Sequence, residues 1–245
     1  MKNLFIVVFA LVATPILKAD ILNEGWYKVM SANVHVGYIV QRTEFLPATK
    51  QYVVKSLLRT NEAGGNITES VSTVSDAGFN PIKYNFTGVA GKSTTVIDAS
   101  FKGSKMTLVK VKDGKKTTST TDLKKGTFLS SNLALLLLKK GVKVGLNVDY
   151  QAIAEEDGKV YEGKAFIKET KKMGQINLFR ILNRFKSSQF VSLMDPKGQI
   201  IATKVPELGL TTNLEAKKEI ATGSIPVPIK TLKKIFGKIP GGMTQ

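Results

Sequence analysis

The chain has 245 residues, with 36 Lys and Arg against 19 Asp and Glu, one His and no Cys, for a formal net charge of +17. Without cysteine there is no disulfide framework, no thiol chemistry and no lipid-modified cysteine, so stability has to come from a packed core. A lone histidine, His35, has neither a cysteine nor a second histidine with which to build the usual zinc set.

The N-terminus runs from Lys2 through an apolar stretch, Leu4 to Ala13, to Thr14-Pro15-Ile16-Leu17 and a small residue, Ala19, before Asp20. Charge, apolar core and small residue in that order form the layout of a secretory signal peptide. The stretch is too short for a membrane span, which takes about 20 apolar residues, and Pro15 interrupts it. Residues 1–19 are therefore expected to be a signal peptide cut after Ala19, although Leu17 stands where a small residue is usual. The mature chain, 20–245, is expected to be periplasmic or secreted and soluble or peripheral. Losing Lys2 and Lys18, with no acid among residues 1–19, leaves +15. Such an excess attracts anionic partners. Export turns that attraction away from nucleic acid and toward lipid head groups, lipopolysaccharide or acidic wall polymers.

From Glu24 to about Thr121, short β-rich runs alternate with turn residues. Strands are expected over 26–34, 37–46, 51–60, 66–74, 82–89, 93–101, 105–112 and 115–121. Gly64-Gly65, Asp76-Ala77-Gly78, Gly91, Gly103 and Asp113-Gly114 supply the turns between them. Ile82, Tyr84 and Phe86 alternate with Lys83, Asn85 and Thr87, the pattern of a half-buried strand. Turn signals every eight to twelve residues predict an antiparallel sandwich or barrel.

Ser130-Ser131-Asn132 followed by Leu133 to Lys140 and Gly141 reads as one short helix, capped by polar residues and closed by lysines and glycine. It is apolar on every side, so it is expected to be buried, plugging a curved sheet. Strands then resume over 146–154, 159–169, 175–183, 189–194, 199–204 and 210–216, with turns at Glu155-Glu156-Asp157-Gly158 and Asp195-Pro196-Lys197-Gly198. The stretch 175–186 also fits helical spacing through Leu178, Ile181, Leu182 and Phe185; strand is preferred. Past Pro226 and Pro228, Ile229, Leu232, Ile235 and Phe236 fall on one helical face, with Lys230, Lys233, Lys234 and Lys238 on the other. The reading is a β domain over 20–224 and a basic amphipathic tail over 225–245.

Little in the chain points to catalysis. No Gly-x-Ser-x-Gly elbow accompanies His35, and no Ser-x-x-Lys occurs. His35 reads as a polar residue near a hairpin turn before Gly37. Gly88 to Ser93 resembles a phosphate loop but has two residues between its glycines where that motif needs four, so it reads as a hairpin turn. Glu155, Glu156 and Asp157 read as a solvated turn, and Asn66-Ile67-Thr68 and Asn85-Phe86-Thr87 as chance sequons. Lysines at 102, 105, 110, 112, 115, 116, 124 and 125 make a cationic hairpin. The tail helix is the sharper basic feature: it can lie in an anionic membrane interface, or pack its apolar face on the protein's own sheet.

Together, the signal peptide, the opening Trp26-Tyr27-Lys28-Val29, Val36-Gly37-Tyr38, the single buried helix and the run from Phe190 to Gly198 resemble bacterial periplasmic domains of unknown function. The sheets of those domains look like the half-barrel of lipoprotein carriers. The resemblance covers roughly 24–216 and implies a curved sheet around an apolar cavity. The expected fold is mainly β: a single antiparallel curved sheet or half-barrel with one buried short helix and a C-terminal amphipathic helix. The expected function is a non-enzymatic binding or carrier protein, without cofactor or metal, for a lipid-like or envelope-derived ligand. Trp26, Tyr38, Tyr84, Phe86 and Phe101 are the candidate lining aromatics. The alternative is a cationic envelope protein held to an anionic membrane or wall polymer through Lys230, Lys233, Lys234 and Lys238.

Overall fold

Alternating side chains, with Asx or glycine turns between them, build two successive meanders. In the first, β1 (Asp20–Ser31), β2 (Val34–Leu46), β3 (Gln51–Thr60), β4 (Ile67–Asp76), β5 (Pro81–Ala90), β6 (Ser93–Lys102), β7 (Lys105–Lys112) and β8 (Lys115–Asp122) each pair antiparallel with the next. The chain then crosses to β9 (Phe128–Leu129) and α1 (Leu133–Lys139). From there it runs through β10 (Asn147–Ala154), β11 (Lys159–Met173), β12 (Ile176–Phe185), β13 (Ser188–Met194), β14 (Ile200–Val205) and β15 (Leu210–Glu215). β15 returns to pair with β1, so both meanders join in one 15-stranded sheet in the order β8 to β1, then β15 to β9. This computed structural model describes residues 19–242; the signal peptide expected over 1–19 lies, apart from Ala19, outside them.

The sheet is curved and does not close. β9, at one end, is two residues long and pairs parallel with β10. β8, at the other, is exposed along its whole length and opens with Lys115-Lys116, the charged edge that discourages pairing with another chain.

Register separates the two faces. Thr43, Val54, Thr73, Tyr84 and Ala99 are successive cross-strand partners on the face turned toward α1, the inner face. Trp26, Val40 and Leu57 form a parallel row on the opposite, outer face. Along the inner face of β5–β7, Tyr84, Phe86, Ile97 and Met106 pack against Leu129 and Ile153, so the second meander folds back over the first. α1 lies between the two arms with Leu137 buried against Val148, Ile167, Ile181 and Met194.

The outer face of β1–β3 is covered by the C-terminal segment. α2 (Lys218–Thr222) and α3 (Ile229–Phe236) bring Ala221, Ile225, Leu232 and Phe236 onto Trp26, Tyr38, Val40 and Leu57. Burying Leu232 and Phe236 contributes about 1.5–3 kcal/mol each. Of the apolar stripe of the tail helix, Leu232, Phe236 and in part Ile235 are thus spent on the protein's own sheet, while Ile229 stays exposed.

Three local expectations are corrected. The first turn, expected between the strands 26–34 and 37–46, falls at Ala32-Asn33, whose φ values of 44° and 70° give the left-handed pair of a tight hairpin, so His35 sits near that turn but inside β2. Its Nε2 lies 3.0 Å from the carbonyl oxygens of Gly37 and Ala221. Residues 130–132 form a 3-10 turn, and no side chain caps α1; Asn132 is buried instead and its amide donates to Ser75 Oγ. Glu155 does not sit at a solvated tip: it turns inward and is buried, while Glu156 and Asp157 stay outside, each 2.8 Å from Lys186 Nζ. Within the stretch 175–186, Ile176–Phe185 is strand, paired with β11 on one side and β13 on the other.

Candidate functional site

Between α1 and the inner face of the sheet lies a cavity of about 330 Å³. α1 lends Leu133 and Leu137, β12 Ile181 and Phe185, and β13 Phe190, which form an apolar wall. Polar groups come from Gln41 and Thr43 of β2, Ser56 of β3, and from Ser192 of β13 and Thr203 of β14, whose hydroxyls lie 2.9 Å apart. An apolar pocket with a few placed polar groups is the usual form of a small-molecule site.

Tyr150 of β10 forms one end of the cavity. Its hydroxyl donates to Asn183 Oδ1 at 2.7 Å, and its ring centroid lies 5.4 Å from that of Phe128 and 6.0 Å from that of Phe185. Gly163, its cross-strand partner on β11, makes this possible: a Cβ there would lie 2.2 Å from Tyr150 Cζ. Burial pushes the Tyr150 hydroxyl up to about 12, against the opposing effect of its bond to Asn183. Tyr150 also borders a second, wider recess of about 700 Å³, which is lined in part by Lys124, Lys125 and Lys140.

Beside the cavity, the Glu155 carboxylate accepts bonds from the Ser130 hydroxyl and, at 3.1 Å, from the Ser131 N–H. Burial raises its pKa despite those bonds. Tyr84, near this group, is pushed above the ordinary tyrosine range by burial and then by Glu155, Asp157 and Glu156. Its buried hydroxyl has no hydrogen-bond partner among the described residues.

The sequence does not match any family model or any curated protein. The fold does have a relative. Among solved structures the chain is similar to a β-barrel-like protein of a domain of unknown function, DUF1849, from Brucella abortus, with a TM-score of 0.57 at 10% identity. The match spans 79% of this chain and 94% of that one, and at such identity it speaks for the fold alone.

The five candidate aromatics fall in two separate places. Trp26 and Tyr38 lie on the outer face under the tail, where Trp26 Nε1 donates to Pro240 O at 3.0 Å and the Tyr38 hydroxyl donates to Pro226 O at 3.1 Å. Tyr84, Phe86 and Phe101 share the inner face with the cavity but pack in the closed cluster around Ile97 and Met106. None of the five lines the cavity. Lys230, Lys233, Lys234 and Lys238 are exposed on the solvent side of the tail.

The lining residues that sequence reasoning passed over are Tyr150, Asn183, Phe185, Phe190, Ser192 and Thr203. Gly163 inside an otherwise regular strand was the one signal pointing to them, because an isolated strand glycine marks a close approach by a neighbour.

Proposed function

We propose that this is an exported, non-enzymatic binding or carrier protein that holds a lipid-like or envelope-derived ligand in the cavity between α1 and the sheet. The observation that supports this reading most directly is the mixed lining of that cavity. Leu133, Leu137, Ile181, Phe185 and Phe190 offer apolar surface to a chain, while Asn183, Ser192 and Thr203 offer hydrogen bonds at its edge. Its size, about 330 Å³, suits a short apolar segment or part of a longer one. The signal-peptide layout of residues 1–19 supports export, where such ligands are met.

Native mass spectrometry of protein purified without detergent tests the reading. The expected result is a bound mass that is released on denaturation, and that is lost when Ala134, which lines the cavity on α1, is replaced by Phe. Protein that is consistently empty, and that fails to take up a fluorescent fatty acid, would overturn it.

A further inference from the structure

β11 and β12 outrun their neighbours. β10 pairs with β11 only as far as Phe166, and the preceding loop adds its last bonds at Ile167, where Gly145 N–H donates to Ile167 O at 2.9 Å. On the other side, β13 pairs with β12 only from Phe179 onward. Past those ladders the exposed end, residues 171–177, stands clear as a two-stranded ribbon over the buried Leu178, and it reaches roughly 10 Å beyond Phe179 at about 3.3 Å per residue. Every residue from Lys168 to Asn177 is exposed.

The chemistry of this ribbon is one-sided. Lys168, Lys171 and Lys172 form no ion pair among the described residues, and the single acid, Glu169, is held by Arg180 at 2.7 Å. At the tip, Met173 and Ile176 face each other across the last pair of the ladder, each about half exposed at 52%. At the base, exposed Val144 follows Lys143 in the loop bonded to Ile167. A two-stranded ribbon has little core of its own, and packing within the protein gives no reason for apolar residues at its tip. Lysines behind an apolar tip match an interface with anionic head groups outside and acyl chains beneath. In the tail helix Leu232 and Phe236 are already buried against the sheet, which leaves Ile229 at its first turn as the exposed apolar residue beside the lysines.

We propose that the β11–β12 ribbon is the contact through which the protein docks on an anionic lipid bilayer, with Met173 and Ile176 entering the interface and Lys168, Lys171 and Lys172 engaging head groups. This site is separate from the cavity, so vesicle docking by protein without ligand, or ligand retention without docking, would tell the two proposals apart.

Sedimentation of the mature chain with vesicles tests it. Binding is expected to vesicles of equal phosphatidylglycerol and phosphatidylcholine, to fall as salt rises, and to be absent on phosphatidylcholine alone. Met173→Ser with Ile176→Ser lowers the affinity by about tenfold, and each of Lys171→Gln and Lys172→Gln by about fivefold. All four positions are exposed, so circular dichroism should be unchanged. In a Met173→Trp variant the emission shifts to the blue on anionic vesicles. That shift persists when Lys230, Lys233, Lys234 and Lys238 are all changed to Gln. Wild-type-like binding by the ribbon variants, salt-independent binding, no blue shift, or loss of all binding in the tail variant would each overturn the proposal.

Discussion

Replacing Arg42 with Leu tests what fastens the C-terminal segment to the sheet. The Arg42 guanidinium lies 2.7 Å from Glu24 and 3.5 Å from Glu44, and its Nη1 donates to Phe236 O at 3.1 Å. Glu24 accepts in turn from the Gly241 N–H at 3.0 Å, so one buried pair grips both the last turn of α3 and the residues beyond it. Side chains of Arg42 and Glu24 are 4% and 9% exposed, which places the pair where losing one partner strands the other. Breaking such a pair costs about 3–5 kcal/mol. In a chain of this size each kcal/mol moves the melting temperature by about 2–4 °C, so Arg42→Leu should melt roughly 10 °C lower by circular dichroism. Trp26 reports the local event: it is the only tryptophan, it is fully buried under the tail, and its emission should move to the red before global unfolding. Glu24→Gln in the same chain removes the stranded charge and should recover more than half of the loss. A single variant that melts within about 2 °C of wild type, or a double variant no better than the single, would show that the Arg42–Glu24 pair is not what fastens the tail.

Glu155→Gln should gain on the wild type as pH rises. The buried carboxyl has its folded pKa above the ordinary glutamate value of 4.5, so below that value both states keep the proton and no stability is lost. Between the unfolded and folded values the unfolded chain releases its proton first and stability falls, a loss that Gln cannot suffer. Urea midpoints compared at pH 4 and pH 7 check this, and a constant difference between the two proteins would contradict it. Gly163→Ala reverses the usual benefit of replacing a strand glycine, because the new Cβ would lie 2.2 Å from the Tyr150 ring. The ring has to leave Asn183 and its aromatic neighbours, at about 1–3 kcal/mol, and ligand retention should fall with it. Chemical denaturation and native mass spectrometry on the same preparation read both effects; an unchanged midpoint would mean that the ring moves freely.

Strands were legible where turn chemistry punctuates them. Asp113-Gly114 and Gly91 fall in the β7–β8 and β5–β6 hairpins as the sequence predicts, because positive φ is cheap there. β9 and α2 were not read, since two and five residues are too short to show a period. β11 runs on to Met173, past the expected end at Glu169, through a stretch exposed on both faces that carries no alternation to recognise. The choice between helix and strand over 175–186 is decided by ladders to β11 and β13, which are contacts made at a distance.

Site residues were harder to read for a reason of parity. Successive residues of a strand point to opposite faces, so Val40 and Arg42 turn outward to the tail while Gln41 and Thr43 turn inward to the cavity. Aromatic bulk does not tell which face is which. Trp26, Tyr84 and Phe86 are drawn into closed clusters, while the cavity is lined by other aromatics, Tyr150, Phe185 and Phe190, set among hydroxyls, amides and aliphatic groups. The open choice for the tail helix turned on the same point. Its apolar face needed a partner, and the outer row of Trp26, Val40 and Leu57 needed a cover; a strand group that is apolar on both faces implies a second layer on each. The tail is the only described segment after β15, so it supplies that layer, whereas Met173 and Ile176 at the end of β11 and the start of β12 face each other half exposed, with Lys171 and Lys172 beside them in no ion pair among the described residues.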